Sequence, residues 1–181
     1  MKKICVFCGS RTGSRPAYRA AAEALGGALA ARGWGLVYGG GRVGLMGILA
    51  DATLAANGYV TGVIPAFLNR REVVHPDLQN CHTVSDLFER KNMMLDIADA
   101  FVALPGGIGT YDELLEVIAW RQLAQLDKPI AVLDVDGFFQ PWLASLYHAA
   151  DEGFVDRGEI ERIFRAGNVA SLVARFDEVW A

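Results

Sequence analysis

The stretch AFVALPGGIGTYDE, residues 100–113, joins a short apolar run to a glycine-rich loop and then to a helical pattern. The run at residues 100–104 has the length and composition of a buried parallel strand. Three glycines follow within residues 106–109, and the apolar residues after Thr110 recur at helical spacing. A strand, a glycine loop and a helix in this order are typical of a βαβ unit.

The same alternation extends over the rest of the chain. Further strand-like runs cover residues 3–8, 35–39, 59–64 and 129–134, and helical patterns cover residues 17–32, 45–57, 85–98, 110–123, 138–152 and 169–180. We therefore predict an α/β fold, a Rossmann-like parallel sheet with helices on both faces, as a single domain over residues 1–181. Residues 65–83 are the least regular, and a loop of this length often serves a site.

Composition excludes several classes of protein. The chain has 181 residues, 52% of them hydrophobic, which is enough for a substantial core. A net charge of -4 and the absence of a basic run argue against a nucleic-acid partner. The apolar stretch in MKKICVFCGS is too short for a signal peptide or a membrane span, so we expect a cytoplasmic protein without a membrane partner.

The cysteines do not form a metal-binding pattern. Cys5 and Cys8 make one CxxC, but Cys81 stands alone and no second CxxC completes a zinc site. We predict reduced core cysteines and no metal.

Glycine-rich loops follow three of the predicted strands. They are CGSRTGS at residues 8–14, GGGRVG at 39–44 and PGGIGT at 105–110. Because the carboxyl ends of parallel strands share one edge of a sheet, these loops should meet there. Backbone N–H groups in such loops and at helix N-termini bind anions, so the arrangement indicates a polyanionic or nucleotide-like ligand.

The GGGRVG loop also fits the G-x-G-x-x-G pattern of dinucleotide-binding proteins. That function requires an acidic residue at the end of the next strand, where this chain has Ile64 and Pro65, and the pattern follows the second strand instead of the first. We therefore expect this loop to pack a helix against the sheet and to be available for substrate contact. No Walker sequence is present.

The helix predicted after PGGIGT carries two carboxylates in an apolar setting. Thr110 and Glu113 fit a capping box, and apolar side chains at residues 114–123 surround most of the axis, which predicts a buried helix. Glu113 and Glu116 then lie where burial of a charge is unfavourable. Near a helix N-terminus the macrodipole should keep Glu113 ionised. A fixed, poorly hydrated carboxylate suits base catalysis or stabilisation of a developing cation.

The preceding helical pattern, residues 85–98, carries two cations outside its polar sector. That sector consists of Glu89, Asn92 and Asp96. Arg90 and Lys91 lie outside it, and Lys91 falls near the middle of the apolar face. Long basic side chains can extend from a packed face to water. The alternative is that both reach an anion inside the fold, either a substrate phosphate or Glu113.

Several of these segments together resemble a known family. FCGS at residues 7–10, YGGGRVGLMG at 38–47, GVIP at 62–65, ERK at 89–91 and PGGIGTYDE at 105–113 resemble the Lonely Guy (LOG) family of cytokinin riboside 5'-monophosphate phosphoribohydrolases. The resemblance implies hydrolysis of the N-glycosidic bond of an N6-substituted adenosine 5'-monophosphate to free base and ribose 5-phosphate, without a cofactor. It also points to a homodimer.

The resemblance implies that Arg90 and Glu113 form the essential catalytic pair. The residues predicted to bind substrate are Ser10, Gly41, Glu72, Lys91, Met94, Gly107, Ile108, Gly109, Thr110, Tyr111, Asp112 and Glu116. One departure is Leu87-Phe88, where the family often has Met-His, and it leaves the preferred base open.

Other functions remain open at this stage. The chain could bind a nucleotide without turnover, or act as a Rossmann-type oxidoreductase. Lysine decarboxylation, a name also given to such sequences, would need a pyridoxal Schiff base, and none of Lys2, Lys3, Lys91 and Lys128 lies in a pattern typical of one. N6-isopentenyl-AMP, AMP and other nucleoside monophosphates all present the same reacting atoms.

Overall fold

A parallel sheet forms the centre of the computed structural model, which describes residues 1–69 and 74–181. Within these residues the sheet has seven strands in the order β4-β3-β2-β1-β5-β6-β7, and every pairing is parallel. The strands are β1 (Lys3–Phe7), β2 (Gly35–Tyr38), β3 (Val60–Pro65), β4 (Asn80–Val84), β5 (Ala100–Ala103), β6 (Ile130–Leu133) and β7 (Ile163–Ala166).

Helices cover both faces of this sheet, as predicted. The described helices are α1 (Pro16–Ala31), α2 (Gly44–Ala55), α3 (Leu87–Ile97), α4 (Ile108–Gln122), α5 (Gln140–Asp151), α6 (Arg157–Glu161) and α7 (Val169–Val179). Side chains of β1 alternate between two cores: Ile4 and Val6 pack with α1, α2 and α7, whereas Cys5 and Phe7 pack with α3, α4 and α5. The predicted α/β fold class is confirmed.

The order in which the chain adds strands to the sheet changes direction beside β1. Strand β1 pairs with β2 on one side and with β5 on the other. Strands β2, β3 and β4 therefore extend the sheet on one side of β1, and strands β5, β6 and β7 extend it on the other side. Ligand crevices of open α/β sheets lie at such a switch point, beyond the carboxyl ends of the strands. Here Gly9 N donates to Pro105 O at 3.1 Å across that point.

The GGGRVG loop packs α2 against the loop after β1. Gly44 has a φ of 62°, and a Cβ at this position would lie 2.2 Å from the carbonyl carbon of Ser10. Leu45 N donates to Gly9 O at 3.0 Å just beyond it. A larger residue at position 44 would separate the two loops, so the predicted packing role of this loop is confirmed.

Two strands and one α-helix of the described residues were missing from the prediction. Strand β4 reads NCHTV, and only Val84 in it is buried, so its apolar signal is weak. Strand β7 reads IFRA and includes the charged Arg165. Both lie at edges of the sheet, where a strand has one neighbour and tolerates polar residues. Because β4 begins at Asn80, the predicted loop at residues 65–83 is shorter than expected. The missing helix, α6, has five residues.

The cysteines agree only in part with the prediction. Cys5 and Cys8 are buried free thiols, and burial raises the pKa of both. Cys81 is exposed on the edge strand β4, so the prediction that all three cysteines lie in the core is wrong for this residue. None of the helices in the described residues combines the length and apolar character that a membrane crossing requires.

Candidate active site

A buried ion pair joins α3 to α4 beneath the carboxyl ends of the central strands. Asp86 caps α3 by accepting hydrogen bonds from Phe88 N and Glu89 N. The next turn presents Arg90, whose Nη2 donates to Glu113 Oε1 at 2.7 Å. The two side chains are only 14% and 13% exposed. The predicted alternative in which Arg90 reaches Glu113 inside the fold is confirmed.

Burial governs the electrostatics of Glu113. Desolvation raises the pKa of this carboxyl above its ordinary value, and the Arg90 guanidinium opposes that rise. Glu113 is the sixth residue of α4, which begins at Ile108. The macrodipole acts mainly within the first turn, so the expectation that the helix dipole would keep Glu113 ionised is wrong. The guanidinium of Arg90 is the main group that favours the ionised form of this carboxyl.

Lys91 forms a second link between the same two helices. Its Nζ contacts Glu116 Oε2 and lies 3.2 Å from Asp112 Oδ2. Burial lowers the pKa of Lys91, but these two carboxylates more than offset it, so the pKa lies above its ordinary value. Lys91 is therefore charged at neutral pH.

Apolar residues pack against the carboxylates of Glu113 and Glu116 on the side of the core. Glu113 and Glu116 share a small cavity with Phe7, Met94 and Val117. Met94, predicted to bind substrate, is 2% exposed and belongs to the core. It lines the small cavity beside Glu113, and substrate binding by Met94 stays a prediction.

The glycine loop after β5 opens directly into α4. Gly107 is the N-cap, and as a glycine it has no side chain that could cap the helix. The predicted capping box is therefore wrong: Thr110 is 4% exposed, and its Oγ1 lies 2.0 Å from the position that a Cβ on Gly106 would take. Thr110 packs under the loop while Glu113 binds Arg90. The first N–H groups of α4 consequently receive no side-chain acceptor from the N-cap residue and are suited to an anion.

An open groove of about 550 Å³ runs along this loop at the switch point. It is lined by the loop after β1, including Ser10, and by the loop after β5, including Gly107 and Ile108. Ser10 is exposed, Ile108 is 89% exposed, and the space around Gly107 and Gly109 is open. The structure thus brings Ser10 together with the PGGIGT loop, two segments that lie far apart in the sequence.

Two other predicted contact residues, Gly41 and Tyr111, are not part of the groove lining. The Tyr111 ring stacks on Phe138 with centroids 6.0 to 6.4 Å from its aromatic neighbours near α5. Gly41 is buried and forms an antiparallel bridge with Val74. Glu72 lies outside the described residues. Substrate binding by these residues stays a prediction.

The outer face of α4 is exposed, contrary to the prediction of a helix buried on all sides. Leu114 and Val117 are buried, but Leu115, Trp120 and Leu123 are 43%, 39% and 70% exposed. The apolar residues around the helix axis therefore divide into a face in the core and a face at the surface of this chain.

Gly39 is a site residue that sequence reasoning did not single out. A Cβ at this position would lie 2.4 Å from Arg90 Nη2, so a larger residue would force the guanidinium to move. The signal in the sequence was the glycine run itself, but it did not indicate which side chain would fill the space. The structure shows that this side chain is Arg90.

Together these features define a class of protein. A Rossmann-like sheet carries a glycine loop and helix N-terminus suited to a phosphate, with a buried Arg–Glu pair next to them. Among residues 1–69 and 74–181, no group of three or more His, Cys, Asp and Glu side chains is arranged to hold a metal ion. The class is that of α/β proteins with the sheet and loop arrangement of nucleotide-binding proteins and a buried Arg–Glu ion pair.

Comparison with known proteins gives the family. The family described as "Possible lysine decarboxylase" matches residues 46–176. The chain is 45% identical to cytokinin riboside 5'-monophosphate phosphoribohydrolase LOG7 of Arabidopsis thaliana, over 98% of this chain and 82% of that protein. It is also 45% identical to the enzyme of the same name, LOG, of Oryza sativa subsp. japonica, over 98% of this chain and 73% of that protein. The chain belongs to the LOG family, which confirms the resemblance.

Solved structures share the fold. The X-ray structure of the structural-genomics target TM1055 superposes with a TM-score of 0.76 at 26% identity, covering 98% of this chain and 99% of that one. The molybdenum cofactor binding protein of Rippkaea orientalis reaches a TM-score of 0.74 at 18% identity, over 100% and 99% of the two chains. At that identity the second likeness concerns the fold alone.

Proposed function

We propose that this protein is a phosphoribohydrolase that cleaves the N-glycosidic bond of N6-substituted adenosine 5'-monophosphates. The products are the free base, a cytokinin or adenine, and ribose 5-phosphate. The name of its relatives supports this reaction. The observation that carries it is the buried contact between Arg90 and Glu113, 2.7 Å long, beside the glycine loop. Nothing in a purely structural role requires two charges to be withdrawn from water at that place.

The substrate phosphate binds at the start of α4 in this proposal. The backbone of Gly107, Ile108 and Gly109 offers N–H groups in an open part of the groove, and Ser10 adds a hydroxyl from the opposite loop. The positive end of the helix dipole favours the dianion at the same point. Lys91, which Asp112 and Glu116 hold in place, adds a positive charge on the side of α3.

Arg90 and Glu113 then act at the sugar. Cleavage of a ribosidic bond passes through an oxocarbenium-like state in which positive charge develops on the ribose. Glu113 stabilises that charge and orients or deprotonates the attacking water. Arg90 holds Glu113 through Nη2, and its buried Nε has no hydrogen-bond partner among the described residues.

The family description "Possible lysine decarboxylase" does not fit these residues as well. A Schiff base needs a lysine amine that is free to react with a cofactor. Lys91 is paired with Glu116 and Asp112, and Lys128 donates to Leu95 O at 2.6 Å in the last turn of α3. The proposed hydrolysis needs neither a metal nor an organic cofactor.

A homodimer is the assembly that we propose for this enzyme. Leu115 and Trp120 of α4, its C-cap Leu123 and Phe88 of α3, which is 74% exposed, offer apolar side chains at the surface of this chain. Burial of such a face against a second copy removes apolar surface from water. Light scattering coupled to size-exclusion chromatography should give twice the mass of one chain. Trp120→Glu should lower it, and a monomeric wild-type protein would contradict the proposal. The predicted cytoplasmic location stays a prediction.

The decisive test is a chromatographic assay for free base. The protein is incubated with AMP and with N6-isopentenyl-AMP, and adenine and isopentenyladenine are quantified against Glu113→Gln. We expect base release by the wild type alone. Tight AMP binding with no base release would indicate a binding module, and binding of NADH would indicate an oxidoreductase.

A further inference from the structure

His75 is a buried polar residue that the proposed reaction has not used. Its side chain is 4% exposed and lies between Asp51 of α2 and the backbone of Asp77. Asp77 N donates to His75 Nδ1 at 3.2 Å, and His75 Nε2 lies 3.0 Å from Asp51 Oδ1. Since Nδ1 accepts, these two contacts assign the proton of the neutral ring to Nε2, which donates to Asp51.

The backbone beside this ring is attached to the glycine loop after β2. His75 N donates to Gly40 O at 3.0 Å, and Val74 forms an antiparallel bridge with Gly41. Gly40 has a φ of 73°, so the loop turns sharply at this point. The side chain of His75 meanwhile binds Asp51 on α2, the helix that begins at the end of the same loop. The loop is therefore fixed at its turn and through the helix that follows it.

The glycine loop after β2 also packs against the side chain of Arg90. The Cβ position of Gly39 lies 2.4 Å from Arg90 Nη2 and 3.1 Å from Arg90 Cζ. Within the described residues, Arg90 Nε has no hydrogen-bond partner. One hydrogen bond to Glu113 does not fix the plane of the Arg90 guanidinium. The orientation of this group therefore also depends on its packing against the backbone of Gly39.

We propose that the Asp51–His75 pair positions Arg90 for catalysis by fixing the glycine loop at residues 39–41. The role rests on the proposed function. His75 does not touch the reacting atoms and acts through the backbone of Gly40 and the packing of Gly39 against Arg90. The Asp51 side chain is 72% exposed, whereas the His75 ring is buried. Water therefore does not reach the ring to replace its hydrogen bond with Asp51.

The test compares His75→Ala with a matched control on the same segment. Gln79 also makes two hydrogen bonds, accepting from Val60 N at 3.1 Å and donating to Gly58 O at 3.2 Å, but at the opposite end of β3. Gln79→Ala therefore removes the same number of contacts away from Arg90. With AMP, we expect kcat to fall about tenfold in His75→Ala and to stay at the wild-type value in Gln79→Ala. KM should change less than kcat, because positioning acts on the transition state.

A conservative variant separates positioning from folding. Asp51→Asn keeps an oxygen that accepts from Nε2, so it should retain most of the wild-type kcat, whereas Asp51→Ala should resemble His75→Ala. Each variant is assayed well below its own melting temperature, which circular dichroism provides. Equal loss of kcat in His75→Ala and Gln79→Ala, or an unchanged kcat in folded His75→Ala, would overturn the proposal.

A spectroscopic readout makes the test independent of turnover. In protein labelled with 15N-arginine, the Nε–H resonance of Arg90 is assigned by its loss in Arg90→Lys. We expect this resonance to shift in His75→Ala and in Asp51→Ala but not in Gln79→Ala. An unmoved resonance refutes the coupling. Absence of base release by the wild type would refute the proposed function and leave this measurement to decide whether His75 positions Arg90.

Discussion

Arg90 Nη2 and Glu113 Oε1 lie 2.7 Å apart although their residues are separated by 23 positions and belong to different helices. Both side chains are largely withdrawn from water, and Gly39 leaves the space that the guanidinium occupies. An ion pair in such a setting contributes little to net stability because desolvation offsets much of the attraction. Its value lies in holding a carboxylate in a fixed, poorly hydrated position.

We predict that Glu113→Gln and Arg90→Ala each abolish most turnover in a folded protein. Loss of one electrostatic contact to the transition state commonly lowers kcat by about 10² to 10³. The measurement is release of adenine from AMP, with Asp96→Asn on the exposed side of α3 as the control. A rate close to the wild type in Glu113→Gln would remove the catalytic assignment.

The acid limb of the pH profile should report Glu113. Because burial raises the pKa of this carboxyl, kcat/KM should fall with decreasing pH at a value above the roughly 4.3 of an ordinary glutamate. The effect on stability has the opposite sign. Because the pKa of Glu113 is higher in the folded state, this group contributes stability below its unfolded pKa, and that stability is lost as the pH rises through its folded pKa. Relative to Glu113→Gln, the wild type should thus lose stability over that interval. An acid limb at or below an ordinary glutamate value contradicts this.

Gly39→Ala should lower kcat by displacing Arg90. A Cβ would lie 2.4 Å from Nη2, so the guanidinium must move, and a shift of about 1 Å can lower the rate by about 10²-fold. Gly27→Ala in helix α1 is the matched control, because no atom of the described residues lies within 4 Å of that Cβ. The control should raise the free energy of unfolding by about 0.5 to 1 kcal/mol with kcat unchanged. Equal kcat in both variants would show that Gly39 is not needed by Arg90.

The 5'-phosphate should be required. Binding energy at the glycine loop and at the start of α4 positions the ribosidic bond over Glu113, so removing the phosphate should lower kcat as well as weaken binding. Loss of two charge-assisted contacts corresponds to roughly two to four orders of magnitude in kcat/KM. The comparison is isopentenyladenosine against its 5'-monophosphate at equal ionic strength. Equal values would identify a nucleoside hydrolase.

Dithiothreitol and zinc chelators should leave activity unchanged. Cys5 and Cys8 are buried, free and high in pKa, and the exposed Cys81 lies on the edge strand β4. None of them therefore provides a reactive thiolate at the proposed site. The check is kcat with and without each reagent, together with metal analysis of the active protein. Stoichiometric zinc would contradict the prediction.

The fold class followed from local chemistry. Buried strands have a continuous apolar signal, and glycine loops before helices are visible at single residues, so β1, β2, β3, β5 and β6 were predicted with small errors at their ends. The edge strands β4 and β7 were not predicted, because half-exposed strands carry polar residues. The cations outside the polar sector of α3 and the carboxylates of α4 were likewise visible as unusual positions on helices.

Tertiary structure decided which of these residues meet. Helical periodicity identified Arg90 and Glu113 but left the phosphate and the carboxylate as equal partners for Arg90; the packing of α3 beside α4 selected the carboxylate. Capping depends on where a helix begins, and the start at Ile108 placed Thr110 in the core and not at the N-cap. The contact between His75 and Asp51 has no local signal, since it joins a loop to a helix 24 residues away. Periodicity and propensity act over a few residues, whereas such contacts arise only when the sheet brings distant loops to one edge.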